Sequence, residues 1–385
     1  MTPYSLPDRI RAARCESAVP SILLFAVGAA LLVYSAEKLI RHLVGIASGF
    51  GISLFLISVV FTGIEFDDVV LGVTLNLEDL GGVALGMVIG TALSMTGVVL
   101  ALAAILTPTR VDVPRDYVLI FAGAPLVMIV CASAARLTAV DGIALLGLFG
   151  LFIAYIAVRE TRDDTPVFRD AEMYEAYAVV RGSGDGAPAP REGDTCASAA
   201  EWTGGGARAG GGMRQRSATG TLLAEVGRRS GWTGLGSAVP ALAGLVIGSA
   251  VTGIGTKGVL QTYGLQGTVF GATITTVVLT IEDVFLTVEP ARKGAPEIGV
   301  GNVIGSVVFS VTGKLGIVLL AGSVLLGPNV LTWHVPALVV VNGLAAYFVS
   351  TGRLRRWHGL TLLALYVAYW VVSFVEFGAA PVDTP

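Results

Sequence analysis

Across 385 residues, 54% of side chains are apolar, 14% are charged and the net charge is −3, with a mean hydropathy of +0.77. That balance excludes a soluble globule and describes an all-α polytopic membrane protein, with no basic excess for a nucleic-acid partner. The three cysteines, Cys15, Cys131 and Cys196, are too scattered for a disulfide framework or a thiolate metal site.

In chain order, Arg9, Arg11 and Arg14 precede a long apolar run without a small-residue cleavage site, so a retained first helix is expected. Apolar windows of roughly 17 to 30 residues fall at about 19–36, 46–77, 82–106, 117–135, 139–158, 237–256, 260–289, 297–326, 331–350 and 358–377. About ten transmembrane helices are therefore predicted. Charged turns at Arg110 to Arg115 and at Arg353, Arg355 and Arg356 punctuate them. The chain divides into an N-terminal half (1–158), a linker (159–236) and a C-terminal half (237–385). The linker is rich in Arg, Asp, Pro and Gly and reads as largely disordered and solvated. It carries ten Arg, and Lys38, Arg41, Arg110, Arg115, Arg292, Lys293, Arg353, Arg355 and Arg356 fall on its side. Positive-inside logic puts the linker in the cytoplasm and both termini outside. Five spans on each side of the linker force the halves into opposite orientations, giving two inverted-topology five-helix repeats, a plan typical of secondary transporters.

The halves are related by an ungapped offset of 215 residues. It carries Asp68 to Asp283, Leu71 to Leu286, Gly86 to Gly301, Ile89 to Ile304 and Gly90 to Gly305. Each copy holds a knot of acids: Glu65, Asp67 and Asp68 in the second span, Glu282 and Asp283 in the seventh. At about 1.5 Å per helical residue, Asp68 and Asp283 lie roughly 14 Å from opposite faces of a hydrocarbon core about 30 Å thick. An acid at that depth costs on the order of 2.5–3.5 kcal/mol to insert, which marks a site. Glu65 and Asp68 share a helix face, whereas Asp67 and Glu282 point about 100° away from their neighbours unless the helix is interrupted.

The third and eighth spans supply glycines four apart, Gly82, Gly86 and Gly90, and the run Gly301-Asn302-Val303-Ile304-Gly305-Ser306. Small residues at that spacing let helix backbones approach closely. Asn302, Ser306 and Ser310 then offer oxygens suited to a dehydrated hard cation, while Met87, Thr91 and Met95 hold the corresponding places in the first copy. The two half-sites are unequal.

Gly301 to Ser306, eighteen residues after Asp283, resembles the alpha-repeat of the sodium/calcium exchanger (cation/Ca²⁺ antiporter) superfamily. The repeats fall at about 53–106 and 268–321. The resemblance implies ten inverted spans around a cytoplasmic loop and cation exchange by alternating access. It places the family's ion-binding Glu on Asp68 and Asp283, its motif Pro on Asp67 and Glu282, and its motif Ser on Glu65 and Thr280. The motif Thr falls on Ile64 and Leu279, and the later Asn/Asp ligand on Met95 and Ser310. Oxygen ligands are lost and acids gained. Loss of Pro also argues against a break in the seventh span, while Gly63 could still interrupt the second.

The resulting expectation is a cation antiporter in the cell membrane. It exchanges Ca²⁺ or another small inorganic cation against Na⁺ or H⁺, with those cations as cargo and no cofactor. A channel or non-transporting sensor on the same scaffold, and an intramembrane aspartyl hydrolase, are the alternatives. His42, His334 and His358 read as interfacial. Lys314, within the eighth span, is expected either to snorkel to an interface or to pair with Glu282 or Asp283 as an internal counter-cation. Deleting Pro188 to Arg216, inside the Gly-rich part of the linker, should leave folding and basal exchange intact, as size-exclusion profiles and vesicle flux would show.

Overall fold

A computed structural model describes residues 19–39, 65–133, 136–160, 231–292, 296–327 and 329–378. The described chain is mostly helical: α1 (Val19–Leu39), α2 (Phe66–Leu77), α3 (Gly81–Leu106), α4 (Arg115–Ala132), α5 (Ala139–Glu160), α6 (Gly231–Tyr263), α7 (Gly267–Leu279), α8 (Ile281–Arg292), α9 (Pro296–Ala321), α10 (Val330–Ser350) and α11 (Arg356–Phe377). Among the described residues, eight helices are long and apolar enough to cross a membrane, or nine when α7 and α8 count as one bent span. Of the expected second span, 46–77, only residues from Glu65 onward are described. His42, the repeat segment 53–64 and the centre of the linker also lie outside the described residues.

The repeat seen in sequence recurs in the helix boundaries. Helix α2 maps onto α8 and α3 onto α9, each end displaced by 215 residues. A π-turn at Met95–Val99 in α3 has its counterpart at Ser310–Lys314 in α9 at the same offset. Such single wide turns insert an extra residue into the helical ladder and rotate the side chains that follow. Two short antiparallel contacts close the ends of the bundle. Arg110 bridges Arg353, and β1 (Arg136–Leu137) pairs with β2 (Val324–Leu325). These junctions lie at opposite ends of α4 and satisfy loop N–H and C=O groups that would otherwise go without partners.

Helices α3 and α9 form the centre. Every residue from Val83 to Ser94 is buried, as is every residue from Ile298 to Phe309 except Asn302. A helix apolar all round belongs inside. Close approach is what the glycines provide. A Cβ at Gly86 would overlap the Thr268 carbonyl oxygen of α7, and one at Gly90 would lie 2.6 Å from the Ala272 Cα. The outer pair α1 and α6 meet the same way, with Gly28 against Thr252 and Gly248 against Leu32.

Three boundaries differ from the sequence reading. Helix α6 starts at Gly231, inside the stretch assigned to the linker, because a helix already nucleated by its apolar body propagates cheaply. It runs past Lys257 to Tyr263, and Gly264, at φ +64°, makes the turn. Lys257 is held within the helix by an ion pair with Glu78 at 3.2 Å. The seventh span is bent by 48° between α7 and α8 without a proline at the break. A π-turn at Gly271–Thr275 precedes the break in α7, and Thr280 stands at the break itself. Its hydroxyl donates to the Thr276 carbonyl at 2.7 Å and meets the Ser94 hydroxyl of α3 at 2.8 Å. A hydroxyl bonded back along its own helix bends it.

Gly86→Val should lower the thermal stability of detergent-solubilised protein by about 1–3 kcal/mol, the usual cost of overpacking. Gly123→Ala, with nothing within 4 Å of the added carbon, should leave it unchanged.

Candidate functional site

The acids gather where two helices begin. Glu65 is extended at φ −90° and ψ 95°, and α2 starts after it with Asp67 and Asp68 in its first turn. Glu282 and Asp283 occupy the first turn of α8, after the break. A helix N-terminus carries partial positive charge, so both groups of acids sit where the backbone favours anions by about 0.3–1 kcal/mol each. Starting there also alters where the side chains point. Asp67 and Glu282, expected to face elsewhere, lie within Coulombic reach of each other, and Asp67, Asp68 and Glu282 all lie within reach of Asp283. The five acids at these two helix starts act on one another electrostatically.

Lys314 decides the first half-site. Its side chain is fully buried, so snorkelling is ruled out, and its ammonium does not pair with Glu282 or Asp283 as expected. It donates to Glu65 Oε2 at 2.6 Å, to Asp68 Oδ2 and to Thr91 Oγ1 at 3.1 Å. The π-turn is the physical reason. Placing Lys314 at the end of the wide turn in α9 directs it across the bundle onto α2 and α3 of the other repeat. Thr91 in turn donates to Asp68 Oδ2 at 2.9 Å.

The second half-site is built from α8 and α9 with one contribution from α3. Asn302 lies beside Asp283, and its amide donates to Thr287 Oγ1 at 3.5 Å. Thr280 meets Ser94. The hydroxyls of Ser306 and Ser310 are buried with no hydrogen-bond partner among the described residues. The acids do not form a closed cage. Among the described residues, no three His, Cys, Asp or Glu side chains are arranged to hold a metal ion. A cation bound here would draw on hydroxyl and amide oxygens as much as on carboxylates.

Sequence reasoning missed Ser94 and the part played by Thr91. Thr91 was legible in principle, since it lies 215 residues before Ser306. His334 and His358 are also corrected. His334 is buried and bonded to the Tyr369 hydroxyl at 2.8 Å, and His358 is buried and stacked on Phe348 at 4.1 Å between ring centroids. Aromatic partners on neighbouring helices cover both.

The family described as Sodium/calcium exchanger protein matches residues 20–158 and 234–375, both halves of the chain. The chain belongs to the sodium/calcium exchanger family. It is an integral membrane protein of a transporter family. A relative in Methanosarcina acetivorans, the sodium/calcium exchanger MaX1, is 32% identical over 115 residues, 30% of this chain and 33% of the relative, so the match spans about a third of that protein. An uncharacterized membrane protein of Methanocaldococcus jannaschii is 20% identical over 352 residues, 89% of this chain and 94% of the relative. Solved structures of the sodium-calcium exchanger NCX_Mj share the fold. The form soaked with 10 mM Na⁺ and 10 mM Sr²⁺ gives a TM-score of 0.53 at 18% identity over 94% of this chain and 99% of that one. The form soaked with 2.5 mM Na⁺ and 0.1 mM Ca²⁺ gives 0.51 at 18% identity over 93% and 98%.

Thr91→Val should destabilise this family member by about 1–3 kcal/mol, since Asp68 and Lys314 each lose a buried partner. Thr96→Val removes only bonds to carbonyls of its own helix, Ala92 and Leu93, and should cost less than about 1 kcal/mol. Thermal unfolding in detergent compares the two.

Proposed function

We propose that the protein is a secondary-active antiporter that exchanges a small inorganic cation, Ca²⁺ or another metal ion, against Na⁺ or H⁺ by alternating access. The observation that carries this reading is Asp283 in the first turn of a helix broken within the bundle, beside Asn302 and the hydroxyls of Ser306 and Ser310, which have no hydrogen-bond partner among the described residues. Such oxygens replace the water an ion loses on entering the membrane. In this reading Asp68 and Asp283 are the principal acids, with Glu65, Asp67 and Glu282 setting the field around them and Thr280, Asn302, Ser306 and Ser310 completing the oxygen set. Binding of exchanged ions to overlapping sites makes the movement of one depend on release of the other. Competition at one site yields exchange.

The same proposal includes ten spans in two inverted halves, 1–158 and 237–385, in the cell membrane, with both termini outside and a cytoplasmic linker over 159–236. Support comes from the 215-residue register of the helix boundaries and from junctions that recur at opposite ends of α4. Membership of an exchanger family leaves no support for the hydrolase reading, and no observation favours a channel.

In proteoliposomes, flux of Ca²⁺, Mn²⁺ or Sr²⁺ should saturate and require a Na⁺ or H⁺ gradient of opposite direction. Asp68→Asn and Asp283→Asn should each cut it by ~10-fold or more, equivalent to losing about 1.4 kcal/mol of ion binding. Flux near the wild-type level in both variants would remove these residues from the mechanism.

A further inference from the structure

We propose that Lys314 is a tethered cation that holds the cation position of the first half-site throughout the cycle, so that the transported ion binds only at the second half-site, on Asp283, Thr280 and Ser306. The inference rests on the antiporter reading and deepens it by fixing where, and how many, ions bind.

The first half-site already holds a positive charge, with one oxygen of each carboxylate, Glu65 Oε1 and Asp68 Oδ1, left without a hydrogen-bond partner among the described residues. An ammonium has three N–H donors, and Lys314 directs them to three oxygens, those of Glu65, Asp68 and Thr91. Two carboxylate oxygens and a hydroxyl around a dehydrated positive charge are the surroundings that a small cation would receive. A single carboxylate would balance the ammonium charge. Lys314 engages both members of the face-sharing pair, Glu65 and Asp68.

The repeat then shows what stands opposite. The 215-residue offset carries Glu65 to Thr280, Asp68 to Asp283 and Thr91 to Ser306, and it carries Lys314 back to Val99. Val99 closes the first π-turn as Lys314 closes the second, and both are buried. The second half-site therefore keeps a carboxylate and two hydroxyls in register with the first, but the π-turn of α3 that corresponds by the repeat to the one bearing Lys314 ends in the isopropyl group of Val99. Among the described residues, no Lys or Arg pairs with Asp283, and the Ser306 hydroxyl has no partner. The set of oxygens that takes a fixed ammonium in one half is left for a mobile cation in the other.

One monovalent charge is thereby built into the protein, and the number of ions carried falls accordingly. Lys314→Met should open the first half-site, change the charge moved per cycle by one elementary charge and steepen the dependence of flux on Na⁺, read from reversal potentials in proteoliposomes. Val99→Lys should place an ammonium in both half-sites and cut exchange by tenfold or more. The double variant Val99→Lys with Lys314→Val moves the fixed charge to the other half and should recover exchange relative to Val99→Lys alone. An unchanged reversal potential in Lys314→Met, or full exchange in Val99→Lys, overturns the proposal and leaves Lys314 a strut.

A measurement on the wild-type protein covers the case in which the variants fail to fold. Crystals soaked in Tl⁺ or Sr²⁺ should show anomalous density beside Asp283 and Ser306 and none between Glu65, Asp68 and Thr91. Density at the latter position overturns the proposal. Absence of counter-ion-dependent flux in wild-type vesicles would instead remove the antiporter reading, which these soaks do not test.

Discussion

The structure depends on how charge is held inside a low-dielectric bundle. A buried ion pair gains little net stability, because desolvation cancels most of the attraction, but losing one partner costs about 3–5 kcal/mol. Lys314, Glu65 and Asp68 are therefore bound to one another by penalty more than by gain. Their contact ties α9 to α2 across the two repeats, and Thr91 adds α3 to the same knot. Any motion that separates these helices must keep the ammonium solvated by some other oxygen. That constraint couples the position of one half of the molecule to the chemistry of the other.

The remaining architecture brings such groups together with little backbone left unsatisfied. Between apolar helices in lipid there is no hydrophobic drive to associate, so packing rests on close contact and interhelical hydrogen bonds. The glycines of α3 against α7 and of α1 against α6 supply the contact, and hydroxyl pairs such as Ser94 with Thr280 and Ser249 with Thr74 supply the bonds. Asn76 adds a further tie, donating to the Val318 and Gly322 carbonyls at the end of α9 at 2.8 Å each. The break at Thr280 is part of the same economy. It ends α7 with its last hydroxyl satisfied and starts α8 with a positive helix end facing two acids.

The departures from expectation share a cause. The seventh span lacks the proline that would break it, yet it bends by 48° at Thr280, after a π-turn in α7 and beside Ser94 of α3. Lys257 falls between two of the predicted spans, yet it lies within α6 and pairs with Glu78 in the turn after α2. Lys314 is expected to snorkel or to pair with the nearer acids in the chain, Glu282 or Asp283, yet from the end of a π-turn it reaches the pair in the other repeat. In each case the deciding partner lies far away in sequence.

By itself the sequence determined the membrane class, the 215-residue repeat and the glycine spacing that allows helices to touch. All of these follow from local composition and periodicity, which the solvent reads residue by residue. Only the tertiary structure decided which carboxylates receive the lysine, where the seventh span breaks and that Thr91 and Ser94 belong to the site. Those outcomes turn on distances of about 3 Å between groups up to some 250 residues apart. Hydrogen bonds lose their strength within a fraction of an ångström, so pairing at that range is fixed by helix rotation and offset, which the π-turns of α3, α7 and α9 alter locally.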